Sequence, residues 1–156
     1  MSFSIQIVAF CKRGELPEAE ISRFVKLIKP CAAITCVSLK SPAGSFANKN
    51  ELMEAEAKIA MARLPAKSCI VALSEEGKSL GSSNSFARWL ALRQQQGQPL
   101  VFVVGGAYGI APSLKQAAHE VVSLSALTFS HVLAQLVLLE QIYRAFTILK
   151  GHPYHK

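Results

Sequence analysis

Continuous apolar runs alternate along the chain with segments in which apolar side chains recur every three or four residues. The runs predict strands at 4–10, 33–39, 69–73, 100–104 and 120–123, and the periodic segments predict helices at 17–29, 50–64, 83–96, from 112, and at 130–150. The strands lack in–out alternation, which is typical of a parallel sheet with helices on both faces. No linker or repeat interrupts the pattern, so we predict one α/β domain spanning 1–156.

The last helix, 130–150, is apolar nearly all round. Such a helix has to be buried on more than one side. Gln135 and Glu140 interrupt it, which argues against a membrane span. In a domain of this size one side can pack on the sheet while the other meets a second copy, so we predict a homodimer formed through this helix.

Charge and composition narrow the functional classes. Seventeen Lys and Arg against ten acidic residues give a net charge of +7. This favours a polyanionic partner such as nucleic acid or a phosphorylated ligand, with a generic basic protein as the alternative. All ten acids are Glu, and the missing Asp argues against Asp-based phosphoryl transfer, most Mg²⁺ sites and a Ser-His-Asp triad.

The four cysteines show no CxxC spacing, and we interpret them as reduced residues of a soluble cytoplasmic protein. His152 and His155 could form half of a metal site. No third ligand lies nearby in the sequence, so we expect no metal.

Three segments follow predicted strands, where parallel sheets bind ligands: 73–78, 105–110 and 124–129. The Gly-Gly-Ala-Tyr-Gly segment is neither a dinucleotide fingerprint nor a P-loop. The hydroxylic segment 124–129 could offer backbone groups to an adenine edge between Leu and Phe side chains. The alternative is an ordinary turn in which Ser130 caps the last helix.

The tail is rich in groups that handle protons and anions. Gly151 and Pro153 end the helix, and two His, a Tyr and two Lys lie within 150–156. This composition predicts a segment that reaches an anionic substrate. A solvated basic tail is the alternative.

Four motifs together carry a resemblance that covers essentially the full length. They are VVGGAYG at 103–109, LSALTF at 124–129, EQIYRA at 140–145 and HPYHK at 152–156, in this order and spacing. The chain resembles the small large-subunit ribosomal RNA pseudouridine N3-methyltransferases of the SPOUT superfamily.

The resemblance implies a C-terminal trefoil knot, a homodimer, and S-adenosylmethionine as cofactor. It also implies methylation of N3 of a pseudouridine in large-subunit rRNA within the ribosome. The cofactor-binding positions carried over from the family are Leu73, Gly105, Leu124, Ser125, Ala126, Leu127, Thr128 and Phe129.

The resemblance places the tail at the active site, and the roles of its residues are our hypothesis. His155 would accept the imide proton, because an imidazole can do so near neutral pH. Lys156 would bind phosphate or stabilise the developing anion. We expect RNA contacts from Arg144, His152, Tyr154 and Lys156.

The start of the last helix and the glycine loop, where Ala107-Tyr108 replaces more usual small or charged residues, depart from the family pattern. Ser130-His131 stands where members commonly carry Pro-His, and Gln135 replaces an Arg. Loss of a guanidinium removes a bidentate anion contact. Gln135 therefore keeps open an alternative function, a non-catalytic rRNA-binding assembly factor on the same fold.

Overall fold

The computed structural model describes residues 2–12 and 14–156 and contains a five-stranded sheet. The strands are β1 (Ser4–Phe10), β2 (Ala33–Leu39), β3 (Cys69–Ser79), β4 (Leu100–Val104) and β5 (Glu120–Ser123). Their order is β2-β1-β4-β3-β5, and every neighbouring pair is parallel. The α/β fold with a parallel sheet is therefore confirmed.

Five helices connect and cover the strands. They are α1 (Glu18–Ile28), α2 (Lys49–Met61), α3 (Ser83–Gln96), α4 (Pro112–Ala117) and α5 (His131–Leu149). Side chains of Asn48, Ser82 and Ser130 accept the backbone N–H three residues on and fix where α2, α3 and α5 begin.

The sheet is buried on both faces, which explains its unbroken apolar runs. On one face α1, α3 and α5 pack through residues such as Phe24, Leu90 and Ile142. On the other face α2 and α4 pack through Ala57, Ala60 and Leu114. β4 lies at the centre and is buried along its whole length.

β3 differs from its prediction. It was expected to end at residue 73, but it continues to Ser79. Leu73 and Lys78 both pair with Val122 of β5, so 74–77 bulge out of the ladder and pairing then resumes. The polar sequence Ser-Glu-Glu-Gly-Lys at 74–78 did not indicate a strand. The side chains of this second half of β3 face the cavity edge and solvent instead of the core.

α5 is long and apolar enough to cross a membrane by length and composition alone. One face is nevertheless fully buried in the domain, with Leu138, Leu139, Ile142 and Ala145 each 0% exposed. It is therefore the core helix of this domain. Two of its apolar side chains, Leu133 near its start and Leu149 at its end, are exposed.

Candidate active site

A cavity of about 400 Å³ lies at the carboxyl ends of the central strands. Its walls come from the β3 bulge, the loop after β4, the loop after β5, and the first turn of α5, with Met53 of α2 and Lys115 of α4 at the side. Small-molecule sites usually measure about 300–1,000 Å³. The cavity therefore has the size and position of a ligand site in an open parallel sheet.

The glycine loop after β4 folds back on itself. A Cβ on Gly105 would overlap backbone atoms of Gly109, and Gly109 N–H donates to the Gly106 carbonyl over 3.1 Å. A Cβ on Gly106 would lie 2.8 Å from a carboxylate oxygen of the buried Glu56. Glycine at positions 105 and 106 lets the loop fold tightly on itself and against Glu56, and the loop borders the cavity.

The loop after β5 is held by its own serines. Ser123 Oγ donates to the Ser125 carbonyl over 2.7 Å, and Ser125 Oγ accepts the Leu127 N–H over 3.0 Å. Leu127 lines the cavity although it is 73% exposed. The loop thus combines fixed backbone polar groups with an apolar side chain that a planar ring could cover.

Most of the predicted cofactor positions come together here. Those lining the cavity are Leu73, Gly105, Leu124, Ser125, Leu127, Thr128 and Phe129. Ala126 is exposed and is not among the lining residues. The residue types fit a cofactor with an aromatic ring and several hydrogen-bonding groups, because apolar side chains and open backbone face the same space.

Two charged pairs at the cavity were not anticipated from the sequence. Lys115 Nζ lies 3.2 Å from Glu76 Oε2. His131 Nε2 lies 3.1 Å from Glu15 Oε2, which also accepts the Lys12 N–H over 2.7 Å. The hydrogen bond from Lys12 and the contact with His131 lower the pKa of Glu15. No periodicity or motif links residues 15 and 131.

The tail is packed on α5 through Tyr154 and His155. Tyr154 OH donates to Glu140 Oε1 over 3.1 Å, and its ring meets Tyr143 edge-on at 4.8 Å. Arg144 lies over the Tyr154 ring, and its Nη1 is 3.2 Å from His155 Nδ1. Tyr154 and His155 are half-buried, whereas His152 and Lys156 are exposed.

Glu140 is the centre of this cluster. Its carboxylate accepts from Arg144 over 2.5 Å, and also from Tyr154 and Gln141. The hydrogen bond from Arg144 to Glu140 raises the pKa of Arg144. Burial, followed by the nearby carboxylate, raises the pKa of Tyr154.

The tail and the cavity lie at opposite ends of α5. His131 lines the cavity at its first turn, and Arg144 contacts the tail thirteen residues later. At about 1.5 Å per helical residue the two are roughly 20 Å apart along the axis. Arg144 thus contacts Tyr154 and His155, and none of the predicted catalytic and RNA-binding residues lines the cavity of the same chain.

Gln135 lies inside the protein. It is 2% exposed, and its Nε2 is 3.0 Å from Cys11 Sγ and 3.1 Å from the His131 carbonyl. A buried side chain cannot bind RNA at the surface of this chain. Within 2–12 and 14–156, no three His, Cys or Glu side chains are arranged to hold a metal ion.

Comparisons with known proteins agree with this architecture. Residues 1–155 match the family described as predicted SPOUT methyltransferase. The chain is 38% identical to the ribosomal RNA large subunit methyltransferase H of Acidiphilium cryptum, over 97% of this chain and 93% of that one. It is 34% identical to the protein of the same name from Pseudothermotoga lettingae, over 97% and 98% of the two chains. The protein of that name from Halothermothrix orenii is 32% identical over the whole of both.

Proposed function

We propose that this chain, which belongs to the SPOUT methyltransferase family, transfers a methyl group to N3 of a pseudouridine in large-subunit ribosomal RNA within the ribosome. The observation that carries the proposal is the cavity in which seven of the eight expected cofactor positions meet. The names of relatives matched over nearly their full length support rRNA as the substrate.

The residues around the cavity suit S-adenosylmethionine. Backbone groups of the glycine loop and of 124–129 would hold the adenine edge, and Leu127 and Phe129 would cover its faces. When bound, this cofactor supplies a methyl group on a positively charged sulfur, which keeps the electron pair of the broken bond. The chain mainly has to align the acceptor nitrogen with that methyl group and to exclude water.

The remaining task is the proton on N3. The N3–H bond breaks, its proton passes to the His155 imidazole, and the electron pair left on nitrogen forms the new N–CH₃ bond. Arg144, His152, Tyr154 and Lys156 would contact the RNA, and Lys156 would also offset negative charge on phosphate or on the imide.

Because His155 is remote from the cavity of its own chain, the proposal includes a homodimer. An antiparallel crossing of two α5 helices about a twofold axis would bring the tail of one copy to the cavity of the other. The exposed Leu133 and the half-exposed Leu136 and Val137 provide an apolar surface for this contact. Each active site would then contain residues of both chains.

The trefoil knot belongs to the same proposal. β5 pairs with β3 at one edge of the sheet, whereas α5 packs against α1 and α3 and contacts β1 and β4. Residues 124–130 must therefore cross the carboxyl ends of β3 and β4. Stretching the chain by its ends tests the knot, because a knotted chain would extend to less than about 3.6 Å per residue.

Two measurements test the function. Calorimetry should detect S-adenosylmethionine binding, and nucleoside mass spectrometry should detect 3-methylpseudouridine after incubation with ribosomes from a strain lacking the enzyme. A parallel reaction with uridine at the target position tests whether pseudouridine is required. A second parallel reaction with protein-free rRNA tests whether the enzyme needs the ribosome. If the protein binds the cofactor but forms no methylated nucleoside, the proposed substrate is wrong. If it neither binds the cofactor nor methylates rRNA, the result favours the alternative function of an rRNA-binding assembly factor.

A further inference from the structure

The cavity is lined by two chemically different sets of residues. The loops after β4 and β5 contribute glycines, hydroxyls and apolar side chains. The β3 bulge and α4 contribute three charged side chains instead, Glu75, Glu76 and Lys115, which we call the charged wall. A ligand that fills the cavity therefore meets neutral groups along one part of its length and full charges along another.

The ion pair within the charged wall has unused hydrogen-bonding capacity. Lys115 Nζ donates to Glu76 Oε2 over 3.2 Å. In the part of the chain that the structure describes, neither side chain has a second hydrogen-bonding partner. A lysine ammonium carries three donors, and a carboxylate accepts several hydrogen bonds. The pair can therefore keep its mutual contact and still bind one anionic and one cationic group of a ligand.

The fold fixes the backbone on both sides of this pair. Leu114 is 3% exposed and holds α4 against the sheet, and Ser113 Oγ donates to Glu54 of α2 over 2.6 Å. On the opposite side, Ser74 Oγ accepts the Glu76 N–H over 3.3 Å within the bulge. The lysine and the carboxylate thus reach the cavity from two anchored segments.

The pair contributes little to the stability of the domain. The side chain of Lys115 is 28% exposed and that of Glu76 is 79% exposed. Ion pairs this open to water add little to folding, because solvent screens them. Neutral substitutions here should therefore leave the fold intact. Lys115 is the more enclosed of the two, so a ligand contact there is less screened by solvent than one at Glu76.

The charges of the wall complement those of the proposed cofactor. Its adenosine part suits the neutral loops, whereas its methionine part carries a carboxylate, an ammonium group and the sulfonium. Two carboxylates and one lysine give the wall one net negative charge. The methionine part has one net positive charge, and its two ends match the two members of the ion pair.

We propose that Lys115 binds the carboxylate of the cofactor's methionine part and that Glu76 binds its ammonium group. Glu75 adds negative charge to the same part of the cavity. This inference rests on the proposed use of S-adenosylmethionine and assigns the end of the cofactor that the loops after β4 and β5 do not recognise. Lys115 is then a specificity residue, because it separates the complete cofactor from analogues without a carboxylate.

Calorimetry with two cofactor analogues tests Lys115. Lys115→Met should weaken S-adenosylmethionine binding about 10-fold, because a hydrogen bond between two charged groups is lost. Decarboxylated S-adenosylmethionine keeps the sulfonium and the ammonium group but has no carboxylate. Its affinity should differ by less than about 2-fold between Lys115→Met and the wild type, because the partner of Lys115 is already missing.

The same titrations test Glu76. Glu76→Gln should weaken both S-adenosylmethionine and its decarboxylated analogue by about 3- to 5-fold, because both carry the ammonium group and the site is open to solvent. Methylthioadenosine lacks the whole amino-acid part. It should bind Lys115→Met and Glu76→Gln as it binds the wild type, which shows that the adenosine site is undamaged.

Two matched control variants remove charges outside the cavity. Lys58→Met on α2 and Glu18→Gln on α1 change exposed residues that do not line it, and both should bind all three ligands normally. Equal losses for S-adenosylmethionine and its decarboxylated analogue in Lys115→Met, or no loss for either, would overturn the proposal and leave the proposed function standing. A wild-type protein that binds none of the three ligands would contradict the proposed function itself.

Discussion

The cavity is built mainly from backbone, glycine and apolar side chains, whereas the tail is built from a carboxylate, a guanidinium, a phenol and an imidazole. A cavity of the first kind can bind and align a ligand, but it has few groups that move a proton. A cluster of the second kind can handle protons and anions, but it encloses no volume. If the proposed function holds, the roughly 20 Å of α5 between them means that one chain carries two halves of a site.

The largest effect should come from the tail. His155→Ala should lower methylation of ribosomes by about 100- to 10,000-fold through loss of the proton acceptor, while S-adenosylmethionine affinity stays unchanged. Raising the pH should restore part of the rate, because the imide then ionises without help. His119→Ala is the matched control, and a wild-type rate in His155→Ala would remove this residue from catalysis.

The next effect should be confined to the cavity. Gly105→Val should weaken S-adenosylmethionine binding by at least about 100-fold, because its side chain would overlap the Gly109 backbone and open the loop. Ala66→Val, at an exposed position outside the cavity lining, should bind normally. Calorimetry measures both, and equal affinities would show that the glycine loop does not form the site.

Mixing two inactive variants tests whether the cavity and the tail of one active site belong to different chains. Gly105→Val retains the tail and the deletion of 153–156 retains the cavity, so each homodimer should be inactive. After random mixing, half of the dimers are heterodimers, and each heterodimer has one complete site out of two. The mixture should therefore show about a quarter of the wild-type activity. No recovery, in mixtures shown by mass spectrometry to contain heterodimers, would place both halves in one chain.

A smaller effect is expected at the proposed dimer contact. Leu133→Glu should raise the dimer dissociation constant about 10- to 100-fold, because it places a carboxylate in an apolar interface. Leu92→Glu on α3 changes an equally apolar, 58% exposed residue and should leave association unchanged. Leu139 is unsuitable as a probe because it is 0% exposed in the single chain. Sedimentation velocity reports both variants.

The smallest effect should come from the tail's attachment to α5. The pKa of Tyr154 is raised from the phenol's ordinary value of 10.0, first by burial and then by Glu140. The stabilisation from the hydrogen bond of the Tyr154 phenol is therefore fully present below about pH 10. It is lost as the pH rises through the raised pKa of Tyr154 in the folded protein. Ultraviolet titration should show phenolate formation together with tail release, and Tyr154→Phe should abolish this step while costing about 1 kcal/mol of stability.

The sequence predicted the sheet well because the strands contain apolar runs, which are most completely buried in β1 and β4, and the helices because their caps are local. It did not predict the second half of β3, whose side chains are polar. It also missed the contacts of the tail with Arg144 and Glu140 and the Glu15–His131 pair, which join residues 11, 14 and 116 positions apart. Ion pairs between surface elements leave no periodic signal. The three cavity loops were indicated by their place after predicted strands, and the individual cofactor positions came from the family resemblance. The structure shows that seven of these positions line one cavity.

The β3 bulge has a consequence for how such a cavity can change size. Pairing with β5 is intact before Leu73 and after Lys78, so the four residues between are anchored on both sides. Gly77 is the fixed point, because a Cβ there would lie 2.7 Å from the Val122 backbone. Insertions or deletions among 74–76 would move one wall of the chamber and leave the sheet and its register alone. The number of residues in this short stretch, and not the identity of their side chains, would therefore set the dimensions of the cavity.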